Sequence, residues 1–177
     1  MNVVFDLDGT LADCTHRHHF LETHPKDWDS FYDECWRDRP IQSMLEIFQT
    51  LVLSPSYSVE IWTGRIEWEH EEIFDRTVEW FGYHLHPSRF VSKKNLFVLS
   101  PENFFDHCNR VEGKFRIPIR MRPWKDYRED SDLKYDWFSR GRGQDKEVDL
   151  VFEDRARVVK MWRGQGIRCC QVAPGEF

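Results

Sequence analysis

Three observations predict an α/β protein built on a parallel sheet from this sequence of 177 residues. Short apolar runs alternate with amphipathic segments of helical period, the order expected when strands and helices take turns along the chain. The first run, Asn2-Val3-Val4-Phe5-Asp6, is too uniformly apolar to have a wet face. Acidic, hydroxyl and glycine residues gather where such runs end, and ligands of open parallel sheets bind beyond the carboxyl ends of the strands.

Residues 2–6 are the first strand. Over 27–36, Trp28, Phe31, Tyr32, Cys35 and Trp36 recur at helical spacing and define one face. A second helix follows with Pro40 in its first turn and Ile41, Met44, Leu45, Phe48, Leu51 and Val52 as its buried stripe. Ser54-Pro55-Ser56 breaks it, and 58–62 is the second strand. A third helix spans 67–81, with Ile73, Phe74, Thr77, Trp80 and Phe81 inward and Gly82 ending it. Residues 84–115 mix Pro87, Pro101, Asn103, Asn109 and Gly113 with short apolar pieces and read as an insertion. Then come a strand at 116–121, a helix at 130–138, a loop at 141–144, a strand at 148–152, a helix at 155–163 stopped near Gly164 and Gly166, and a strand at 167–172. The whole is expected to be one domain, with residues 13–39 forming a small cap between the first strand and its helix.

Composition narrows the function. A formal charge of −6, 40% apolar and 15% aromatic residues describe a folded protein that nucleic acid does not attract by net charge. No run of apolar residues is long enough to cross a membrane, and the amino terminus lacks the basic start and apolar stretch of a signal peptide, so a cytoplasmic protein is expected. Cys14, Cys35, Cys108, Cys169 and Cys170 show no C-x-x-C spacing and read as free thiols. No protein partner is evident.

The most specific motif is Asp6-Leu7-Asp8-Gly9-Thr10, at the end of the first strand. Alternation places Asp6 and Asp8 on one side, and Gly9 lets the backbone turn. Two neighbouring carboxylates repel each other and call for a cation; a hard, oxygen-bound ion such as Mg²⁺ meets that need and also holds a phosphate. Thr63-Gly64-Arg65 closes the second strand with a hydroxyl, a glycine amide and a guanidinium, groups suited to an anion. Lys134 lies near a helix start, where a cation neutralises phosphoryl oxygen. Glu153-Asp154 end the strand at 148–152 and offer further carboxylates to the same ion. The tract His16, His18 and His19 beside Cys14 reads as polar cap surface rather than a transition-metal site, although His16-Arg17 could face the phosphoester.

D-x-D-G-T after the first strand, Thr63 after the second, then Lys134 and Glu153-Asp154 resemble the four motifs of the haloacid dehalogenase (HAD) superfamily over the whole chain. The fold class implied is α/β: a Rossmann-like HAD fold, its parallel sheet flanked by helices, with a small cap and an insertion. Met121-Arg122, the run Arg128-x-Asp130-x-x-x-Lys134, and the segment from Phe152-Glu153-Asp154-Arg155 through Cys170-Gln171-Val172-Ala173-Pro174-Gly175-Glu176-Phe177 resemble the phosphatase domain of phage polynucleotide 5′-kinase/3′-phosphatases. The resemblance implies that Asp6 is the nucleophile and Asp8 the acid and base. It implies that Thr63 and Lys134 hold phosphoryl oxygens, with Asp6, the Asp8 backbone carbonyl, Asp154 and Glu153 around Mg²⁺. Gly64, Arg65, Arg128 and Asp130 would contact substrate or support the site. No G-x-x-x-x-G-K-[ST] run is present, so a kinase activity is not expected.

Residues 110–128 carry seven basic side chains (Arg110, Lys114, Arg116, Arg120, Arg122, Lys125, Arg128) against Glu112 and Asp126, a net +5, with Phe115, Trp124 and Tyr127 interleaved. That mixture suits a phosphate backbone and a stacked base. The tract suits a nucleotide or an oligonucleotide end; with the resemblance, which implies a 3′ phosphate, a phosphorylated nucleic-acid 3′ end is the expected substrate, with activity that falls steeply with salt. A phosphatase of mononucleotides or other small molecules is the second enzyme reading. A non-enzymatic binding module is the third, opposed by the intact Asp6, Asp8, Thr63, Lys134 and Asp154.

Overall fold

The computed structural model describes residues 1–67, 72–85, 96–98, 110–111, 114–115, 117–141 and 147–175. In chain order the strands are β1 (Asn2–Phe5), β2 (Ala12–Asp13), β3 (Arg39–Pro40), β4 (Ser58–Glu67), β5 (Leu96–Val98), β6 (Arg110–Val111), β7 (Lys114–Phe115), β8 (Ile117–Pro123), β9 (Leu150–Arg155) and β10 (Arg168–Gly175). The α-helices are α1 (Trp28–Asp33), α2 (Gln42–Leu53), α3 (Glu72–His84), α4 (Asp130–Gly141) and α5 (Ala156–Gly164). Six strands form one sheet in the order β10-β9-β1-β4-β8-β5, and every neighbouring pair is parallel. Among the described residues no helix is long and apolar enough to cross a membrane.

Alternation along β1 builds two cores. Val3 and Phe5 face a cluster with Leu45 and Phe48 of α2 and Trp80 and Phe81 of α3. Val4 faces the other side, where Trp62, Val151, Phe138 of α4, and Val158, Val159 and Trp162 of α5 meet. A strand with both faces covered must be apolar throughout, which is what residues 2–5 are. Each fully buried aromatic or aliphatic side chain contributes about 1.5–3 kcal/mol, so the central strands hold the frame that the functional loops hang from.

Several boundaries differ from those the sequence predicts. The helix expected over 27–36 is the short α1, capped by Asp27, whose carboxylate accepts from the Ser30 amide at 3.0 Å, followed by the 3-10 turn Cys35–Arg37. Phe31, Tyr32 and Cys35 are buried, whereas Trp28 and Trp36 at the ends of that face are exposed. Pro40 does not start a helix: it lies in β3, opposite Ala12 of β2, so the chain returns after residues 13–39 to the point it left. Pairs this short accept a proline because few ladder amides are needed. β4 does not stop at Trp62. A register shift between Trp62 and Ile66 carries it past Thr63-Gly64-Arg65 to Glu67, where a helix was expected to begin. Gly82 lies inside α3, without the positive φ that would end it, whereas Gly166, at φ 79°, does follow α5. Of the stretch 84–115, described residues include the edge strand β5, parallel to β8, and the small antiparallel pair β6–β7. The rest of that stretch and the loop at 142–144 lie outside the described residues, as does Cys108; Cys14, Cys35, Cys169 and Cys170 are free thiols.

Candidate active site

The register of β1 brings the motifs together. Phe5 aligns with Ile61 on β4 and with Phe152 on β9, so the residues that follow, Asp6, Trp62-Thr63 and Glu153-Asp154, emerge at one end of the sheet. The Asp6 amide donates to the Phe152 carbonyl at 3.0 Å, which fixes the exit of the strand. Gly9 turns the chain at φ 83°, and the amides of Thr10, Leu11 and Ala12 close back on the Leu7 carbonyl. A Cβ at Gly9 would lie 2.3 Å from Asp154 Oδ2; glycine here lets the loop and that carboxylate occupy the same corner.

Lys134 is the hub of the first half of the site. Its ammonium donates to Asp6 Oδ1 at 2.6 Å and Glu153 Oε2 at 2.8 Å, and lies 3.2 Å from Asp130 Oδ2. Asp130 and Lys134 are four residues apart on α4 and therefore share the face that meets the sheet. Three carboxylates match the three donors of one ammonium. Asp154 is a fourth acid in the cluster, and Arg155 Nη1, 3.9 Å from Asp130 Oδ2, is the second cation. Burial pushes the Asp6 carboxyl well above its ordinary pKa; Glu153 and Asp130 add to the rise and Lys134 opposes it. Burial likewise pushes Glu153 up to about 7 and Asp154 up to about 7, the latter helped by Asp6. Lys134 is held well above the usual range despite its burial, because Asp130, Asp6 and Glu153 surround it.

The donor set fits a hard divalent cation. Asp6, Glu153 and Asp154 each offer a carboxylate oxygen within 4.8 Å of the others. Asp154 Oδ1 is buried and has no hydrogen-bond partner among the described residues. A buried, orphaned carboxylate oxygen is costly unless a cation meets it, and an all-oxygen set favours Mg²⁺ over softer metals. The Asp8 side chain points elsewhere; only its backbone carbonyl was expected at the metal.

Asp8 sits in a buried square of charges. Arg17 Nη2 donates to Asp8 Oδ1 at 2.7 Å, and Arg65 donates to the same oxygen from Nε at 2.9 Å and Nη2 at 2.6 Å. Both guanidiniums also donate to Asp38 Oδ2 at 2.7 Å, Arg17 Nε to Asp38 Oδ1 at 2.8 Å, and Arg65 Nη1 to Thr77 Oγ1 at 3.1 Å. Burial tends to raise the Asp8 pKa, but Arg17 and Arg65 outweigh it and hold this carboxyl well below the usual range. The guanidinium of Arg65, expected to face an anion, is instead fully buried and committed to Asp8. Arg17, expected with His16 at most to face the phosphoester, instead shares that work. No spacing in the sequence signals its contact with Asp8.

The remaining candidates divide. Thr63 is fully buried at the sheet end, its Oγ1 accepting from the Arg65 amide at 3.2 Å. The Gly64 carbonyl accepts from Tyr32 Oη at 3.1 Å and Arg122 Nε at 3.2 Å, and a Cβ at Gly64 would come within 2.9 Å of Asp130 Oδ1. The Arg128 side chain is exposed and bound to Asp126 at 2.6 Å and Asp136 at 3.3 Å.

The basic tract is far less available than its composition suggests. Arg120 faces the opposite core, 4.6 Å from the Trp62 ring and 3.6 Å from Glu60, because neighbouring residues of β8 alternate faces. Arg122 is spent on Gly64, Asp126, Arg128 and Asp130. The side chains of Arg110, Lys114 and Arg116 lie outside the described residues. The histidines pair locally: His16 with Asp38 at 2.9 Å, His18 with Cys14 Sγ at 3.2 Å, and His19 with the His16 carbonyl at 3.0 Å.

Residues 92–177 match the family described as the polynucleotide kinase PNKP phosphatase domain. Among solved structures, the fold is similar to a chain of the Pnkp1/Rnl/Hen1 RNA repair complex, with a TM-score of 0.65 and 22% identity over 99% of this chain and 43% of that one. A second Pnkp1/Rnl/Hen1 complex gives a TM-score of 0.64 and 22% identity over 99% of this chain and 47% of that one. This chain thus spans less than half the length of either.

Proposed function

We propose that this chain, a HAD-type phosphatase resembling the PNKP phosphatase domain, hydrolyses the terminal phosphomonoester of nucleic-acid 3′ ends. The observation that carries the reading is the pairing of two differently tuned acids at one strand end: Asp6 against Lys134, Asp8 against Arg17 and Arg65.

Asp6 attacks phosphorus; its carboxylate forms a bond to phosphorus as the bond to the ester oxygen breaks. Asp8 is ionised in the free protein and takes up a proton from solvent as the phosphoryl dianion adds negative charge beside it. It delivers that proton to the departing 3′ oxygen, then removes one from the water that cleaves the aspartyl-phosphate, restoring Asp6 and releasing phosphate. Lys134 and Thr63 steady the phosphoryl oxygens, and Gly64 supplies close backbone approach. Arg65 and Asp130 hold Asp8 and Lys134 in place, and Arg128 stands at the rim. Bound by Asp6, Asp154, Glu153 and the Asp8 carbonyl, Mg²⁺ would supply positive charge to the phosphoryl group.

A polymer end is favoured over a swallowed metabolite by the way residues 13–39 are held. Tyr32 is tied to Gly64, Arg76 to Asp33, and Trp80 Nε1 donates to the Asp38 carbonyl at 2.7 Å, while the Asp8 square locks the same segment from inside. This cap acts as a fixed wall. The deciding assay is phosphate release from 3′-phosphorylated DNA and RNA oligonucleotides, 3′-mononucleotides and 5′-mononucleotides, with Mg²⁺ or EDTA. Release from the oligonucleotides is expected to exceed that from mononucleotides and to vanish with EDTA; preference for 5′-mononucleotides would make the protein a nucleotidase.

Mg²⁺ is also expected to raise Tm, and more at pH 8 than at pH 6. Glu153 and Asp154, both pushed up to about 7, hold protons more tightly folded than unfolded. The metal-free fold therefore loses stability as pH climbs from the ordinary carboxyl range through about 7. A cation offsets that loss. At a concentration near 100 times Kd it stabilises by about 2.7 kcal/mol, several degrees in a chain of this size. Thermal melts at the two pH values check this; no Mg²⁺ shift at either would remove the metal from the acidic cluster.

A further inference from the structure

We infer that Trp28 is a stacking platform for the nucleobase next to the phosphate that is removed, with Lys26 supplying charge to the neighbouring backbone; the inference rests on the nucleic-acid reading above. Trp28 begins α1 and is 41% exposed, beside the buried Phe31 and Tyr32 of the same short helix. It is seated rather than loose. Its ring stacks on Tyr32 at 5.9 Å and 23°, and meets Phe31 edge-on at 5.7 Å and 85°. Phe31 is in turn covered by the Arg17 guanidinium, 4.0 Å from its centroid.

Continuity with the reacting end gives the platform its occupant. The Tyr32 hydroxyl donates to the carbonyl of Gly64, the residue after Thr63, so one aromatic layer separates Trp28 from the phosphoryl-binding corner. A nucleoside whose phosphate lies at Asp6 and whose base turns outward along the wall would meet this layer. The Lys26 ammonium lies 5.5 Å from the Trp28 ring, within cation–π range, and a phosphodiester can draw it off. A rigid aromatic with a cation at its edge is the combination that binds single-stranded ends without reading sequence. Neither Trp28 nor Lys26 touches the acids that carry out hydrolysis, so a change here should act on substrate choice.

The test compares two substrates: an oligonucleotide 3′-phosphate with an intact terminal nucleotide, and the same strand with an abasic terminal sugar. Wild type is expected to prefer the base-bearing end in kcat/KM. In Trp28→Ala that preference falls about tenfold, chiefly through KM, and Trp28→Phe retains most of it. An equal loss on both substrates, or an unchanged ratio, overturns the platform. Wild type that releases no phosphate from any nucleic-acid end overturns the substrate reading itself, a result distinct from an active enzyme indifferent to Trp28.

Discussion

Asp6→Asn is expected to abolish turnover, by about 10⁴-fold or more in kcat, while leaving the fold about as stable as before. The two halves of that expectation come from the same contacts. Asp6 donates no proton and packs no core; it presents one oxygen to Lys134 at 2.6 Å inside a cluster that already holds Asp130, Glu153 and Asp154. Burial and the acids around it raise its pKa, so the charged form is held at a cost to the fold. An asparagine oxygen still accepts from Lys134 and removes part of the repulsion, and Lys134 keeps Glu153 and Asp130 as partners. Stability should change by no more than about 1 kcal/mol. What the amide lacks is nucleophilicity. The measurement is kcat on a 3′-phosphorylated oligonucleotide, beside an acid-quenched search for phosphorylated enzyme. Wild type should trap an acyl phosphate and the variant none. Activity within tenfold of wild type would leave Asp6 a metal ligand only, and the covalent route would fall.

The parts of this site legible in the sequence are those in which local pattern and chemistry coincide. Asp6 and Glu153-Asp154 follow apolar strands that must be buried on both faces, so their position at the sheet end follows from periodicity alone. Lys134 is marked by its charge near a helix start, whereas Asp130 comes only with the resemblance to the phosphatase domain. Where sequence reading fell short, the partner is remote and nothing local announces it. Arg17 and Asp38 meet Asp8 and Arg65 across separations no periodicity encodes. Arg65 has the right type and place for an anion ligand, yet a buried carboxylate takes its guanidinium first. Charge counting over 110–128 erred for a related reason: Arg120 and Arg122 carry charge that Glu60 and Asp130 answer inside the protein. The fold boundaries slipped where a tertiary contact overrode a local signal. Pro40 went to a two-residue ladder, and β4 ran through Thr63-Gly64-Arg65 because β8 continues beside it.

Arg17→Ala should be the most destabilising single change in the site, by about 3–5 kcal/mol. Two guanidiniums and two carboxylates close the square, all deeply buried, and deleting one cation leaves Asp8 and Asp38 to share the guanidinium of Arg65, with His16 still on Asp38. Loss of activity in that variant would not by itself distinguish a misfolded wall from a misplaced acid, so the double variant Arg17→Ala/Asp38→Asn is the informative one. Neutralising Asp38 restores one carboxylate to one guanidinium, and the pair Asp8–Arg65 keeps its two direct hydrogen bonds at 2.9 and 2.6 Å. The double variant should therefore recover part of the lost stability, with a coupling of about 1–3 kcal/mol. It should not recover kcat, because Asp8 Oδ1 is still without the Arg17 bond at 2.7 Å that sets its direction from the opposite side. Urea unfolding and kcat on one substrate, for the two single variants and the double, separate the cases. If kcat returns together with stability, Arg17 only supports the wall; if stability returns and kcat does not, Arg17 is a positioning residue for Asp8, a role that residues 13–39 would then share with the sheet.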